Sequence, residues 1–117
     1  MEKNIEISLL FDFYGQLLSD KQHEAVMLYY NDDLSLSEVS DIMGITRQGV
    51  RDLVKRSEAE LYEYEEKLGL YRRFEEVGNS ARTIRTLAER ILSSDTDSEK
   101  LASEIIEIAD KLYEQEA

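Results

Sequence analysis

Apolar residues recur along this chain with the spacing of helices, and no segment of comparable quality alternates as a strand would. Apolar side chains fill much of residues 5–18, where Gly15 is expected to weaken the last turn. From Val50 the apolar positions step alternately by four and three residues, and this spacing recurs after Gly69 and again from Leu101. Such spacing is typical of helices that pack lengthwise against a partner. The pattern therefore predicts an all-α protein built as a helical bundle.

Two polar clusters bound the second predicted helix. Ser19 and Gln22 have the S-x-x-Q form of a capping box, in which side chains and backbone at a helix start bond each other. A helix is therefore predicted from this point to about Tyr30. The Asn-Asp-Asp sequence of residues 31–33 is typical of a turn and is expected to end it.

Residues 35–56 have the layout of a helix-turn-helix. Ser35 and Glu38 form a second capping box, and Gly44 is expected to end the helix that begins there. Thr46 can then cap a second helix. A short helix, a glycine-containing turn and another capped helix together predict the motif. We expect its apolar positions to share one small core: Val39, Ile42, Ile45, Val50 and Leu53.

The chain is predicted to have two parts. Residues 1–68 hold the amino-terminal helices and the helix-turn-helix, and residues 69–117 form an extension of longer helices. We expect the extension to pack on the first part as one unit, since 117 residues suffice for one modest core. Gly78 and Asn79 are a candidate kink or break in the extension, although the apolar spacing continues across them.

The outer face of the second motif helix carries the candidate binding residues. Arg47, Gln48 and Arg51 are expected to point outward at its start, with Lys55 and Arg56 a turn or more beyond. Arginine and glutamine make bidentate contacts to base edges, and lysine suits phosphates. These five residues are the predicted nucleic-acid-binding site.

The overall charge opposes nucleic-acid binding even though the charge near the motif favours it. The chain has 26 acidic and 14 basic side chains, which gives a net charge of −12. Two basic islands, residues 47–56 and 72–92, interrupt the acidic remainder. Because an acidic rim repels phosphate and slows encounter, DNA recognition by the motif stays one of several hypotheses.

Other candidate chemistry is excluded or weak, so no catalytic residue, metal ligand or cofactor is predicted. The absence of cysteine excludes disulfides, thiolate nucleophiles and cysteine-ligated metals. The single histidine, His23, has no nucleophile beside it in a recognisable motif and is predicted to lie on the surface. No G-x-x-x-x-G-K-[ST] loop is present to cradle a nucleotide phosphate. Five carboxylates are interpreted as a solvated face: Glu58, Glu60, Glu63, Glu65 and Glu66.

Residues 95–106 resemble a calcium loop only at their start. Lys100 stands where such a loop requires glycine, and Ile106 stands where it requires glutamate. Asp95 or Thr96, together with Glu99, is better interpreted as a helix cap. No apolar segment has the length of a membrane span or the form of a signal peptide, so a cytoplasmic location is expected.

Four motifs within residues 9–76 carry a family resemblance: FDFY at 11–14, LSLSE at 34–38, TRQGV at 46–50 and EYEEKLGLY at 63–71. With these motifs the chain resembles the YlxM family of small bacterial helix-turn-helix proteins. The resemblance implies a motif similar to region 4 of bacterial sigma factors, the part that reads a promoter element. Gly49 departs from the alanine expected there, at a cost of about 1 kcal/mol in helix propensity.

The resemblance also implies a function connected with the signal recognition particle. The family is tied to this particle by gene proximity to its GTPase subunit, which implies a regulator of the particle. The chain is therefore predicted to be a non-enzymatic cytoplasmic protein that binds the particle's GTPase or its RNA. The alternative is a DNA-binding transcriptional regulator that uses the helix-turn-helix. A third hypothesis is an adaptor that uses its helical seams and binds no nucleic acid.

The apolar seams after Val50 are expected to form a homodimer through the carboxyl-terminal helices. Three successive stretches of this spacing offer more apolar edge than one helical hairpin needs, and a two-fold dimer would cover it. The residues expected in this interface are Tyr64, Leu68, Phe74 and Val77. In the alternative, the amino-terminal helix folds back and fills the same groove with Leu9, Leu10, Phe11 and Phe13.

Overall fold

The computed structural model describes residues 2–93 and 97–116. Within these ranges the chain is helical and contains no strand, so the all-α prediction is confirmed. A 3-10 turn over Gly15–Leu17 follows the first helix, and a π-helical turn over Met27–Asn31 extends the second. The helices are α1 (Lys3–Tyr14), α2 (Asp20–Val26), α3 (Leu36–Met43), α4 (Arg47–Leu68), α5 (Leu70–Leu92) and α6 (Ser98–Glu116).

Both predicted capping boxes are present. The Ser19 hydroxyl accepts a hydrogen bond from the backbone N–H of Gln22 at 3.2 Å, and the Gln22 side chain accepts one from the Ser19 N–H at 2.9 Å. The same pair of bonds joins Ser35 and Glu38, each at 3.1 Å. These side chains satisfy backbone donors that a helix start leaves without partners, which is why α2 and α3 begin where they do.

Glycines end α3 and α4 in the left-handed conformation. Gly44 has φ 69° and Gly69 has φ 62°, a region that costs residues with a Cβ about 1–2 kcal/mol. Each donates its N–H back to the preceding turn, to the carbonyls of Ser40 and Glu65 respectively. The sequence signals for both helix ends are confirmed.

The first helix ends earlier than its apolar content predicts. It begins at Lys3 and stops at Tyr14, after which the chain tightens into the 3-10 turn. Gly15 lies against the ring of Phe11, where an added Cβ would be 3.0 Å from two ring carbons. This close approach lets the chain turn toward α2, and Leu18 is already extended.

Residues 1–71 and 72–117 form two compact units. In the first unit, one apolar cluster joins α1 and α2 to the middle of α4, and Tyr14, Ile7 and Leu61 are fully buried in it. The second cluster lies under the helix-turn-helix and consists of Ala25, Val39, Val50 and Val54, with Ile45 and Leu53 packed against it. The expectation that the carboxyl-terminal extension packs on the first part stays a prediction.

The assignment of Ile42 to the motif core is wrong. Ile42 is 57% exposed, whereas Val39 on the same helix is fully buried. Met43, four residues beyond Val39, packs against the cluster instead. Residues four apart lie almost directly above each other on a helix, so Met43 takes the inner position and Ile42 the outer one.

In the second unit, α5 runs through Gly78 and Asn79 without a break. The carboxylate of Asp97 accepts hydrogen bonds from the backbone N–H groups of Glu99 and Lys100, at 3.1 and 3.3 Å, and so caps α6. The sequence favoured Asp95 or Thr96 for this role, and both lie outside the described residues.

Candidate nucleic-acid interface

The turn between α3 and α4 is fixed by hydrogen bonds around Ser40. The backbone N–H groups of Gly44 and Ile45 donate to the Ser40 carbonyl at 2.9 and 3.3 Å. The Ser40 hydroxyl donates to the Ile45 carbonyl, so the backbone and the side chain of Ser40 both hold the turn. Thr46 then accepts the backbone N–H of Gly49 at 3.0 Å and caps α4 as predicted. The start of α4 therefore has a defined direction relative to α3.

A surface groove lies between the starts of α3 and α4. Its volume is about 380 Å³. The first turn of α4 holds no acidic side chain, and the amino end of a helix carries partial positive charge, so this groove favours an anion. We call it the motif groove, and its lining residues are Ser35, Leu36, Ser37, Arg47, Gln48 and Arg51.

Four of the five predicted binding residues face this side of the molecule. Arg47, Gln48 and Arg51 are exposed in the motif groove, and the exposed Lys55 continues the row one turn further. Arg56 is also exposed, but it lies about 140° around the helix from Arg51. The structure therefore brings the first four together and separates Arg56 from them.

The side chain of Gln48 is held by a neighbouring acid. Its amide nitrogen donates to a carboxylate oxygen of Asp52 at 2.9 Å. This bond uses one of the two amide N–H donors and leaves the other donor and the amide oxygen for a ligand. One donor and one acceptor are what an adenine edge requires of glutamine. Asp52 also places a negative charge beside the row, which weakens phosphate binding on that side.

A second surface cleft adjoins the motif groove. Its volume is about 290 Å³, and Leu36 and Arg51 line both depressions. The π-helical turn brings Tyr29 and Tyr30 to this cleft, at a type of irregularity that often occurs at functional sites. We call it the tyrosine cleft, and its lining residues are Lys3, Asn4, Tyr29, Tyr30, Leu36, Arg51, Val54, Lys55 and Glu58.

Sequence reasoning missed the tyrosine cleft because its walls are distant along the chain. Lys3 and Asn4 come from α1, the tyrosines from the π-helical turn, and Lys55 from α4. Only the adjacent pair of tyrosines within an otherwise helical segment offered a local signal, and apolar packing accounted for it equally well. Contacts between α1, the π-helical turn and α4 are needed to see the site.

The interpretation of the α4 glutamates as a solvated face is wrong for three of them. Glu58 is only 13% exposed, pairs with the Lys3 ammonium at 3.1 Å and accepts the Tyr30 hydroxyl. Glu60 accepts a hydrogen bond from the side chain of Gln22, and Glu65 accepts the Tyr14 hydroxyl at 2.6 Å. Through these bonds the three carboxylates hold α1, α2 and the π-helical turn against α4.

These contacts shift the pKa of the tyrosines that donate to glutamates. Burial, followed by the hydrogen bond to Glu58, raises the pKa of Tyr30. The hydrogen bond to Glu6, followed by burial, raises the pKa of Tyr62 to about 12. A carboxylate acceptor favours the protonated phenol, so both groups stay neutral donors at ordinary pH.

His23 is half-buried, which corrects its assignment to the surface. Its ring lies 4.7 Å from the ring of Phe11 at a tilt of 47°, so it contributes to packing between α1 and α2. The residues that the structure describes bring no three histidine, aspartate or glutamate side chains together as metal ligands. None of the helices within residues 2–93 and 97–116 is long and apolar enough to cross a membrane.

Known proteins share this sequence over most of its length. The UPF0122 family, described as "Putative helix-turn-helix protein, YlxM / p13 like", matches residues 1–105. A UPF0122 protein of a Thermoanaerobacter species is 45% identical over 108 residues, which cover 92% of each chain. A UPF0122 protein of Bacillus cereus is 40% identical over 112 residues, which cover 96% of this chain and 98% of that protein. The resemblance inferred from the motifs is confirmed, and the chain belongs to the UPF0122 family of YlxM/p13-like proteins.

Proposed function

We propose that this chain binds nucleic acid through the amino-terminal half of α4 and acts as a non-enzymatic regulator. One observation carries the proposal: Arg47, Gln48, Arg51 and Lys55 are exposed together beside a groove at a capped helix start. Guanidinium, amide and ammonium groups are the ones that contact base edges and phosphates. The small core beneath the motif holds α3 and α4 at a fixed angle and so fixes where these groups point.

The proposed target is the signal recognition particle in the cytoplasm, through its RNA or its GTPase. The support for this target is the family resemblance, together with the division of charge along the chain. The basic row on α4 suits RNA phosphates, while the acidic remainder suits a basic protein domain. The chain would then change the rate of the particle's GTPase and would not itself hydrolyse GTP.

DNA is the alternative target, and the geometry of the motif favours it. Arg47 and Gln48 stand in the first turn of the second motif helix, the part that enters the major groove when such motifs bind DNA. Asp52 lies beside them and Glu38 lies at the start of α3, and both charges oppose a long duplex phosphate backbone. A comparison of affinities distinguishes the two targets. Tighter binding of a short RNA would favour the particle, and tighter binding of a DNA duplex would favour the alternative.

Fluorescence anisotropy with labelled particle RNA and a labelled promoter-like duplex tests the α4 surface. Replacing Arg47, Gln48 and Arg51 together by alanine should weaken binding at least tenfold, with little change in melting temperature. Replacing Arg82 and Arg85 by alanine is the matched control, because it removes the same charge from α5. Affinity of the wild type should fall with added salt as phosphate counterions are released. Unchanged affinity of the triple variant for both probes would refute the proposal.

A pull-down from bacterial lysate, with and without nuclease, tests the partner. A band for the particle's GTPase that survives nuclease supports protein docking, whereas its loss supports a contact through RNA. The purified chain should also alter GTP hydrolysis by the particle. An unchanged rate would count against regulation of the GTPase and leave the DNA alternative in place.

We further propose that the chain forms a homodimer through α5 and α6. The support is apolar surface that these helices leave exposed, and the side chains concerned are Phe74, Leu92, Ile106 and Tyr113. Of the four residues expected in the interface, Tyr64 already packs against the core of the first unit, while Leu68 is 54% and Phe74 is 65% exposed. Leu10 and Phe11 are buried in that same core. The amino-terminal helix thus covers the middle of α4, and the exposed apolar side chains of α5 and α6 are the support for a second copy on the later seams.

A further inference from the structure

The tyrosine cleft combines three kinds of side chain that recognise one nucleotide. Tyr29 offers an aromatic ring on which a base can stack, and such stacking tolerates any base. Arg51 and Lys55 offer positive charge for a phosphate, and Arg51 also lines the motif groove. Asn4 offers an amide that can donate to and accept from a base edge.

The orientation of the aromatic wall is fixed by its surroundings. The ring of Tyr30 meets the ring of Tyr29 edge to face, with centroids 5.1 Å apart. The hydroxyl of Tyr30 is in turn held by Glu58, whose carboxylate also pairs with Lys3 at 3.1 Å. Because the ring of Tyr29 packs against this fixed ring of Tyr30, it loses little side-chain entropy on binding a ligand. Tyr29 is therefore a better stacking surface than a freely rotating ring.

The size and charge of the cleft limit what it can hold. A volume of about 290 Å³ is close to the lower end of the range for small-ligand pockets, which suits one base and its sugar. A neighbouring depression, which Tyr29 and Tyr30 also line, contains Asp33 and Glu38 as its charged residues. A phosphate is therefore directed to the side of Arg51.

We propose that the tyrosine cleft binds one unpaired nucleotide of a nucleic acid that lies along α4, with its base stacked on Tyr29 and its phosphate beside Arg51 and Lys55. The inference rests on the proposed function, because Arg51 belongs to both the cleft and the motif groove. The inference adds to the proposed function a preference for nucleic acids that contain an unpaired nucleotide. A bulged or single-stranded segment should bind more tightly than a continuous duplex, since a paired base cannot reach the cleft without leaving its stack.

The test compares two labelled hairpins with the same stem, one fully paired and one with a single bulged nucleotide, prepared both as RNA and as DNA. The wild type should bind the bulged hairpin at least fivefold more tightly. Tyr29→Leu removes the ring and should lower affinity for the bulged probe by about 5- to 150-fold. Tyr29→Phe is the matched control, because it keeps the ring and should bind within about twofold of the wild type. The RNA and DNA arms decide which sugar the cleft accepts.

A second measurement uses the wild type alone and so does not depend on the folding of a variant. Iodouridine placed at the bulge should crosslink under ultraviolet light to the peptide that contains Tyr29 and Tyr30. Equal affinity for the two hairpins, or crosslinks only to other peptides, would overturn the inference. If that equal binding still depends on Arg47 and Gln48, the proposed function stands without the cleft. If no hairpin binds at all, both the inference about the cleft and the proposed function are refuted.

Discussion

Replacing Tyr14 by phenylalanine tests the hydrogen bonds that join α1 to the end of α4. Tyr14 is fully buried, and its hydroxyl donates to Glu65 at 2.6 Å and accepts the backbone N–H of Leu70 at 2.9 Å. Glu65 also accepts the N–H of Tyr71 at 3.0 Å. One phenol and one carboxylate therefore hold the left-handed joint at Gly69, where α4 ends and α5 begins.

The expected cost of Tyr14→Phe follows from what the hydroxyl does. A hydrogen bond to a charged group contributes about 1.5–3 kcal/mol. The Leu70 N–H would also lose its acceptor, which costs about 1 kcal/mol or more if water does not replace it. The ring itself remains, so apolar packing is unchanged. The free energy of unfolding should fall by about 2–4 kcal/mol, a large part of the stability of a small domain.

Urea denaturation followed by far-ultraviolet circular dichroism measures this change. Tyr64→Phe is the matched control, because the Tyr64 ring lies 5.9 Å from the Tyr14 ring but its hydroxyl makes only a 3.4 Å contact with the Leu17 carbonyl. This control should lose less than about 0.5 kcal/mol. Equal losses for the two variants, with the same dependence on urea, would refute the role assigned to the Tyr14 hydroxyl.

Three further predictions concern assembly, backbone and pH. Phe74→Glu should convert a dimer into a monomer of 13.6 kDa in sedimentation while helicity is kept; a wild type that sediments as a monomer at micromolar concentrations would contradict the dimer. Gly44→Ala should lower the free energy of unfolding by about 1–2 kcal/mol, because φ at this position is 69°. Gly78→Ala inside α5 should raise it by up to about 1 kcal/mol, because alanine favours a helix more than glycine does. Urea denaturation measures both changes, and the opposite signs would be inconsistent with the left-handed cap at Gly44. The hydrogen bond to Glu6, followed by burial, raises the pKa of Tyr62 to about 12, above its value in the unfolded chain. The stability that the Tyr62 hydroxyl contributes is therefore complete below about pH 10 and is lost as pH rises through the folded pKa. Tyr62→Phe should therefore be less stable than the wild type in urea denaturation at neutral pH, and the difference should shrink as pH rises from about 10 to about 12; a difference that does not change with pH would exclude this contribution.

Local chemistry made the helix boundaries and the motif predictable from the sequence. Capping boxes act over three residues, and the left-handed glycines over a single turn, so their signals are complete within short windows. The exposed positions of Arg47, Gln48 and Arg51 follow from the same windows, because the apolar residues of α4 fix which side faces the core.

Long-range pairing made the rest unpredictable. Tyr14 and Glu65 are 51 residues apart, and Tyr30 and Glu58 are 28 apart, so no local pattern distinguishes these glutamates from solvated ones. The same holds for the tyrosine cleft, whose walls come from four separate segments. Ile42 was misplaced for a different reason, since both it and Met43 suit the inner face of a short helix until packing selects one.

The length of α4 has a mechanical consequence for binding. Its 22 residues make a rod about 33 Å long, with Arg47 at one end and the joint at Gly69 just beyond the other. Because the helix is continuous, a tilt of about 5° at the end that meets a target moves the far end by about 3 Å. That displacement is larger than the tolerance of the hydrogen bonds between Tyr14, Glu65 and Leu70. A target that tilted α4 on binding would therefore strain the joint, and the exchange rates of the Leu70 and Tyr71 amide hydrogens would register that strain.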